Sequence, residues 1–509
     1  MAKLKTVFRC QNCAASYPKW QGQCSECGQW NTLVEEVVEV ASKGKTTQKV
    51  LSEASLEEKL LRFSQVKLSN AKKNRFFTGI AELDRCLGGG LVAGMVVLLG
   101  GEPGIGKSTL LTQMMLRILQ RKAGQPSEAF VSKDVPISKG KKEERGNDNY
   151  QIFYIAGEES PSQIMLRINR LLDNEAFFYS SQLGEKNSLS GKEREAILQH
   201  IRENIFFVTS TDADEIVQLL RLHRPQLLIV DSIQTLSTQD LMGASGSVGQ
   251  IRESADRLIN EVKRLNVPCF LVGHITKDGD IAGPKILEHM VDAVMILEGE
   301  RSDQLRMLRS LKNRFGATDE VGIFQTVEYG LAEVSNPSAL FLENQDKTII
   351  GAATVCLMEG SRPLLAEVQA LVVKSQLAMP RRVGRGIDLA RIQVLSAVLQ
   401  KHAYLPLSFY DIFLSVAGGF KIKESAVDLG LAIAIASSIS GKKIPQNIVF
   451  VGELGLLGEI RKTPYFERRA KEARRLGFEK IISAETHQNI YQLLKDLGMT
   501  RKKPESSEE

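Results

Sequence analysis

Gly101-Glu102-Pro103-Gly104-Ile105-Gly106-Lys107-Ser108 stands between an apolar run, Met95 to Gly100, and a segment of helical period, Ser108 to Gln120. It meets every defined position of G-x-x-x-x-G-K-[ST] in the strand, loop and helix order that the motif requires. Glycines let backbone N–H groups turn inward around phosphate oxygens, and the helix N-terminus adds a favourable dipole. Lys107 supplies a point charge for the β- and γ-phosphates, and Ser108 a hydroxyl for Mg²⁺. Gly101, Glu102, Pro103, Gly104, Ile105, Gly106, Lys107, Ser108 and Thr109 therefore form the expected ATP-binding set.

Around this loop, apolar runs of four to six residues alternate with helical segments, the signature of βαβ units on a parallel sheet. Strands are expected at Met95–Gly100, Ile152–Ala156, Ile205–Val208, Leu227–Asp231, Cys269–His274 and Ala293–Leu297. Three of them end in residues suited to hydrolysis at the edge where such sheets bind ligands. Asp231 closes QLLIVDS and is the expected carboxylate on the magnesium side, with a turn-capping Asp as the alternative. Glu158 is the first candidate for water-activating base and Glu159 the second; either could instead open the next helix, because Glu-Ser-Pro is also a good N-terminus. His274, in VGHIT, is placed to sense a γ-phosphate or a bound polymer, or to serve structure alone.

Further along, LRSLKNRFG sets Lys312 and Arg314 beside Phe315 and Gly316. In ring-shaped ATPases such a cationic pair can reach a neighbour's γ-phosphate; a solvated basic turn is the plainer alternative. KSQLAMPRRVGRG gathers Lys374, Arg381, Arg382 and Arg385 with no acid before Asp388, an electrostatic footprint for a phosphate backbone or simply a soluble loop.

The chain start is different in texture. Cys10-x₂-Cys13 and Cys24-x₂-Cys27 are two knuckles whose four thiolates can meet around Zn²⁺ in a closed structural site. A redox dithiol competes poorly, because one pair would serve it and no βαβ pattern surrounds these cysteines. Tyr17, Trp20 and Trp30 are expected to form the small core of this mini-domain, with partner docking as the alternative. Residues 34–70 read as a charged linker, 121–150 as a surface insertion, and 498–509 as a solvated tail. With 509 residues, 43% hydrophobic and 25% charged, the chain is too long for one core. No apolar stretch is long enough for a membrane span and no secretory signal is apparent, so a cytoplasmic location is expected. A net charge of +6 permits nucleic acid without requiring it.

Taken together, the Cys₄ knuckles, GEPGIGKST, YIAGEES, VDSIQTL, HITKDGDIAGPKILEHMVD, LKNRFG and GELGLLGEIR resemble the bacterial RadA (Sms) family over nearly the whole chain. The resemblance implies an α/β fold with a RecA-like P-loop core at 71–334, an N-terminal Cys₄ zinc finger at 1–33 and a Lon-protease-like α+β domain at 335–497. It implies ATP, Mg²⁺ and Zn²⁺ as cofactors, with Lys107, Glu158, Asp231, Lys312 and Arg314 as the catalytic set. Cys10, Cys13, Cys24 and Cys27 would hold zinc, and Ser108 and Asp231 magnesium. It further implies a hexameric ring related to DnaB-type helicases, acting on single-stranded and branched DNA in recombinational repair and the response to damage. The RecA recombinase would meet the zinc finger, and DNA would meet loops near Gly243 to Arg252 and Lys277 to Lys285.

Lon-type proteases carry P-K-D-G-P-S-A-G at their nucleophile. The matching stretch here, Ile422 to Gly430, offers Val427 or Asp428 in the serine's place, and the partner lysine falls near Glu467. A serine without a base is not an activated nucleophile, so Ser425 is expected to be inert and the domain a scaffold. A nucleotide-switched recombinase adaptor without motor activity, and a Lon-type protease, are the competing functional readings.

Overall fold

The computed structural model describes residues 3–11, 13, 15–40, 75–123, 150–174, 191–275, 281–282, 286–299, 304–334, 336–338, 342, 349–417, 422–445 and 447–500. The expected linker beyond Val40, most of the 121–150 insertion, most of Lys277 to Lys285 and the last nine residues lie outside them. Two compact units divide between Glu333 and Val334.

The cysteine-rich segment is a three-stranded antiparallel sheet of β1 (Lys3–Cys10), β2 (Ser16–Tyr17) and β3 (Leu33–Val40) in the order β2-β1-β3. This corrects the linker reading for residues 34–40. Val34 to Val40 pair with Lys3 to Arg9 in continuous register, with Glu39 opposite Leu4 and Glu36 opposite Val7. Glutamates interspersed among valines read as solvated chain, yet β-branched valines fit a pleated strand once a partner is present.

The core follows with α1 (Ala81–Cys86), β4 (Val96–Gly101), α2 (Lys107–Ala123), β5 (Ile152–Ala156), α3 (Pro161–Asp173), α4 (Gly191–Asn204), β6 (Ile205–Val208), α5 (Ala213–His223), β7 (Leu227–Asp231), α6 (Val248–Leu265), β8 (Cys269–Val272), α7 (Ile286–Met290), β9 (Ala293–Glu298), β10 (Leu305–Asn313), β11 (Val321–Val327) and β12 (Gly330–Glu333). Among the described residues, nine strands form one sheet in the order β12-β11-β10-β9-β4-β8-β7-β5-β6. The block from β9 to β6 is parallel, and β10 to β12 extend it antiparallel.

Period-two alternation along these buried strands feeds two separate cores. Val97, Leu99, Leu227, Ile229, Phe270 and Val272 pack with α2, α3 and α4 on one face. Val96, Leu98, Leu228, Val230, Cys269 and Leu271 pack with α5 and α6 on the other. Both faces being covered, every residue of β7 is buried, and so the strand reads as an unbroken apolar run until it reaches Asp231.

The second unit contains β13 (Ala352–Glu359), β14 (Arg362–Lys374), β15 (Arg382–Arg385), α8 (Leu389–Ala403), β16 (Tyr410–Val416), α9 (Asp428–Ser440), β17 (Ile448–Phe450), α10 (Phe466–Arg475), β18 (Lys480–Ile482) and α11 (Ile490–Asp496). Six strands run in the order β15-β16-β14-β13-β17-β18. Two ion pairs hold its interior. Arg469, 1% exposed, donates to both Glu424 carboxylate oxygens at 2.8 Å and to the Cys356 carbonyl at 2.5 Å. Arg391 reaches Asp428 at 2.5 Å and also the Glu424 carbonyl.

Removing one partner of a buried pair leaves the other charge uncompensated, at about 3–5 kcal/mol. Arg469→Ala is therefore expected to destabilise the second unit by about 3 kcal/mol, the lower end because Glu424 retains some solvent contact. Chemical denaturation followed by circular dichroism would read the change.

Candidate nucleotide and metal sites

Lys107 is 5% exposed and lies folded into the loop that precedes it. Its Nζ donates to the carbonyls of Gly101 at 2.8 Å and Glu102 at 3.0 Å and lies 3.4 Å from Nδ1 of His274. Burial lowers the ammonium's pKa from its ordinary value, against the opposing pull of Asp231 and Glu158. Gly106, at φ +115°, adopts the left-handed region that the tight phosphate turn needs and that side chains rarely enter.

Strand order brings the remaining groups together. β8 lies between β4 and β7, so His274, two residues beyond its end, stands between Lys107 and the acids delivered by β5 and β7. Asp231 accepts from the Tyr154 hydroxyl at 2.6 Å and from Ser108. Burial nevertheless raises its pKa above the ordinary carboxylate value, with those two hydroxyls opposing the shift. Ser108 and Asp231 thus already adjoin one another as a magnesium site requires, and the ion would there neutralise charge shared between the β- and γ-phosphates.

The two candidate bases part company. Glu158 accepts from the Ser232 hydroxyl and lies 2.8 Å from Nε2 of His274. Burial works against its ionisation, but the bonds to Ser232 and His274 and the nearby Lys107 charge bring its pKa below the ordinary value. Glu159 is instead clamped by Arg167 on α3, with both oxygens 2.5 Å from Nη2. The helix-opening role falls to Ser160, whose side chain and that of Gln163 form a reciprocal capping box.

Lys312 and Arg314 lie elsewhere. Lys312 donates to the carbonyls of Glu288 at 2.6 Å and Val291 at 2.9 Å, beneath the end of α7. Arg314 is half-exposed and pairs with Asp292 at 3.1 Å. Ala293 is opposite Asn313 and also aligns with Val97, whereas Leu297 aligns with Gly101, so this pair sits at the end of the sheet away from its own P-loop. Gly243 to Arg252 leads into α6 at the P-loop edge, and Gln250 pins it by donating to the carbonyls of Leu241 at 2.7 Å and Thr238 at 3.2 Å.

In the N-terminal sheet, one sulfur from each of Cys10, Cys13, Cys24 and Cys27 lies within 4.8 Å of all the others. The Cys10–Cys27 and Cys13–Cys24 separations, 3.6 and 3.4 Å, are close to the roughly 3.8 Å edge of a tetrahedron with 2.3 Å zinc–sulfur bonds. Hydroxyls of Thr32 and Tyr17 stand 3.2 and 3.3 Å from Cys10 and Cys24, suited to donate to thiolates. Trp20 and Trp30 do not join this core: they are 57% and 68% exposed, and only Tyr17 packs beside the cysteines. In the second unit Ser425 donates to Glu453 at 2.6 Å, Val427 is buried, and Asp428 is held by Arg391, and among the described residues no lysine is hydrogen-bonded to Ser425.

Family models match residues 62–280 as an AAA domain, 8–35 as a rubredoxin metal binding domain and 384–487 as subunit ChlI of Mg-chelatase. A protein named DNA repair protein RadA from Pseudomonas aeruginosa is 41% identical over 491 residues, covering 95% of this chain and 93% of the relative. One of the same name from Rickettsia bellii is 40% identical over 506 residues, covering 98% and 99%. The chain belongs to the RadA family of DNA repair proteins. It is a RecA-like ATPase with a zinc ribbon and a ChlI- or Lon-like second domain. The crystal structure of the RadB recombinase aligns with 51% of the chain and 99% of its own length at 16% identity and a TM-score of 0.33. Among the described residues no helix is long and apolar enough to cross a membrane.

Three residues escaped the sequence reading although they stand in or beside its motifs: Tyr154 in YIAGEES, Ser232 in VDSIQTL, and Arg167 on α3. Adjacency to Asp231 was the available signal for Ser232.

Purified protein is expected to carry one zinc per chain, and Cys24→Ser to reduce it to background, read by metal analysis and by colorimetric release with a thiol-blocking mercurial. Hydrolysis by the core, which has its own hydrophobic interior, is expected to survive that change.

Proposed function

We propose that the protein is a DNA-dependent ATPase that forms a head-to-tail hexameric ring in the cytoplasm, translocates on single-stranded DNA and drives branch migration of RecA-made recombination intermediates. The observation that carries the reading is the placement of one ATP site's parts at opposite ends of one sheet. Lys107, Ser108, Glu158 and Asp231 gather at one edge, while Lys312 and Arg314 occupy the other. A second copy stacked head to tail brings its Arg314 towards the first copy's γ-phosphate, and the repetition closes a ring.

In this mechanism Lys107 leaves the Gly101 and Glu102 carbonyls for the β- and γ-phosphates, Ser108 and Asp231 would hold magnesium, and Glu158 takes a proton from the attacking water. Glu158 fits this role because its pKa is held below the ordinary carboxylate value and it faces Lys107 through His274, whereas the Arg167 clamp withholds Glu159. The loop from Gly243 to Arg252 lies at the same edge, where movement of His274 on hydrolysis can reach bound DNA. The exposed Trp20 and Trp30 supply the zinc ribbon with a surface for RecA.

Hydrolysis is expected to rise with single-stranded DNA, to lose that stimulation as salt increases, and to vanish in Lys107→Ala. A rate indifferent to DNA would favour the nucleotide-switched adaptor. Arg314→Ala is expected to lower turnover by about 10³-fold. Mixing it with Lys107→Ala should restore part of the rate, since mixed rings contain some interfaces with an intact P-loop and an intact arginine; additive inactivity in a coupled ATPase assay would refute a shared site.

A further inference from the structure

Ser232 is fully buried and directly follows Asp231 at the end of β7. It opens the short 3₁₀ turn Ile233–Thr235, yet its hydroxyl does not cap that turn; it donates to Oε1 of Glu158. Its carbonyl accepts from Oγ1 of Thr235 at 2.8 Å and from the Thr235 N–H at 3.3 Å. Thr235 in turn presses on Gly157, where a Cβ would overlap Oγ1. The N–H groups of Gly157 and Glu158 donate to the Asp231 carbonyl at 2.9 and 3.2 Å. The Asp231–Ser232 dipeptide therefore grips Glu158 twice, by its backbone and by its carboxylate.

His274 addresses the same Oε1, but it belongs to a different strand and also contacts Lys107. Nucleotide binding draws Lys107 away and releases that contact. Ser232 has no such freedom, since residues on every side fix it.

We infer that Ser232 is a positioning residue for ATP hydrolysis: it holds Oε1 of Glu158 so that Oε2, which has no donor among the described residues, faces the attacking water. The terminal torsion of a glutamate is broad, and without an anchor either oxygen could turn from the water. With Oε2 in place, it takes one proton as the water oxygen's electron pair bonds to the γ-phosphorus. The bond from that phosphorus to the bridging oxygen breaks with its electrons leaving on ADP, and the proton passes from Glu158 to product phosphate or solvent. The inference rests on Glu158 being the base.

The test uses the full-length protein with DNA and magnesium, comparing Ser232→Ala, Glu158→Gln and the double variant by steady-state hydrolysis and by titration with a fluorescent ADP analogue. Ser232→Ala is expected to lower kcat about 10- to 100-fold, the effect of slight misplacement of a reacting group, with KM and ADP-analogue affinity unchanged. Ser232→Cys, which fills the space with a weak donor, should show the same split. The double variant should be no slower than Glu158→Gln, because Ser232 acts through that carboxylate. Full kcat in Ser232→Ala beside a crippled Glu158→Gln overturns the role of Ser232, as do effects that multiply in the double variant. Full activity in Glu158→Gln instead removes Glu158 as base, and with it the premise.

Discussion

The carbonyl of Asp231, accepting from two successive N–H groups of the β5 loop, is the contact on which the catalytic edge depends. β5 and β7 are neighbouring parallel strands, with Ala156 opposite Asp231. Parallel strands end in step, and only a loop that doubles back across its neighbour's end can bring an acid from one strand over an acid from the next. Gly157 permits this by carrying no Cβ against Thr235. The backbones that carry Asp231 and Glu158, the acids proposed for the metal and water sides, are thus fixed relative to each other before any nucleotide arrives. Pre-set charges of this kind need little reorganisation during reaction, which is where much of the rate advantage of such sites originates.

The second unit shows the opposite use of buried charge. Where Lon-type enzymes place a nucleophile, this chain has Val427 and Asp428, and the latter is absorbed by Arg391. Arg469 and Glu424 satisfy one another and the Cys356 carbonyl. Buried ion pairs contribute little net stability over apolar packing, but they are demanding of geometry. Ser425 donates to Glu453, a carboxylate that Arg461 also reaches at 3.4 Å, so its hydroxyl meets an acceptor already paired with an arginine.

Much of this was legible in the sequence because burial on both sheet faces forces continuous apolar runs, and such runs end visibly in polar residues. The strands that lead to Lys107, Glu158, Asp231 and His274 stand out for that reason, and two CxxC knuckles are equally plain. Side-chain partnerships were not legible. Nothing in the spacing of Glu158 and Glu159 tells which meets Arg167, because the answer depends on how α3 rotates back over the sheet. Nor does the charged composition of residues 34–40 reveal a strand, since its pairing partner, Lys3 to Arg9, lies far back along the chain. Trp20 and Trp30 misled for a related reason: aromatic residues usually enter cores, but a domain this small already fills its interior with cysteines, Leu33 and Tyr17.

The parallel sheet also limits how hydrolysis and assembly can be related. The strands of the parallel block, β9 to β6, all present their carboxyl ends to one edge. The P-loop, both acids and the Gly243 to Arg252 loop therefore share a side, and no strand of that block can return an arginine to it from the other end. β10 runs antiparallel to β9 and carries Lys312 and Arg314 to the far edge, where Asp292 and the α7 carbonyls hold them in fixed positions. An arginine at one edge and a P-loop at the other cannot meet within one copy by any small motion. In the proposed ring, completing the site in a neighbour would make hydrolysis depend on the spacing between copies, and a DNA strand contacted by loops from several copies would alter that spacing. In that reading, coupling of nucleotide to DNA follows from sheet polarity rather than from a dedicated relay.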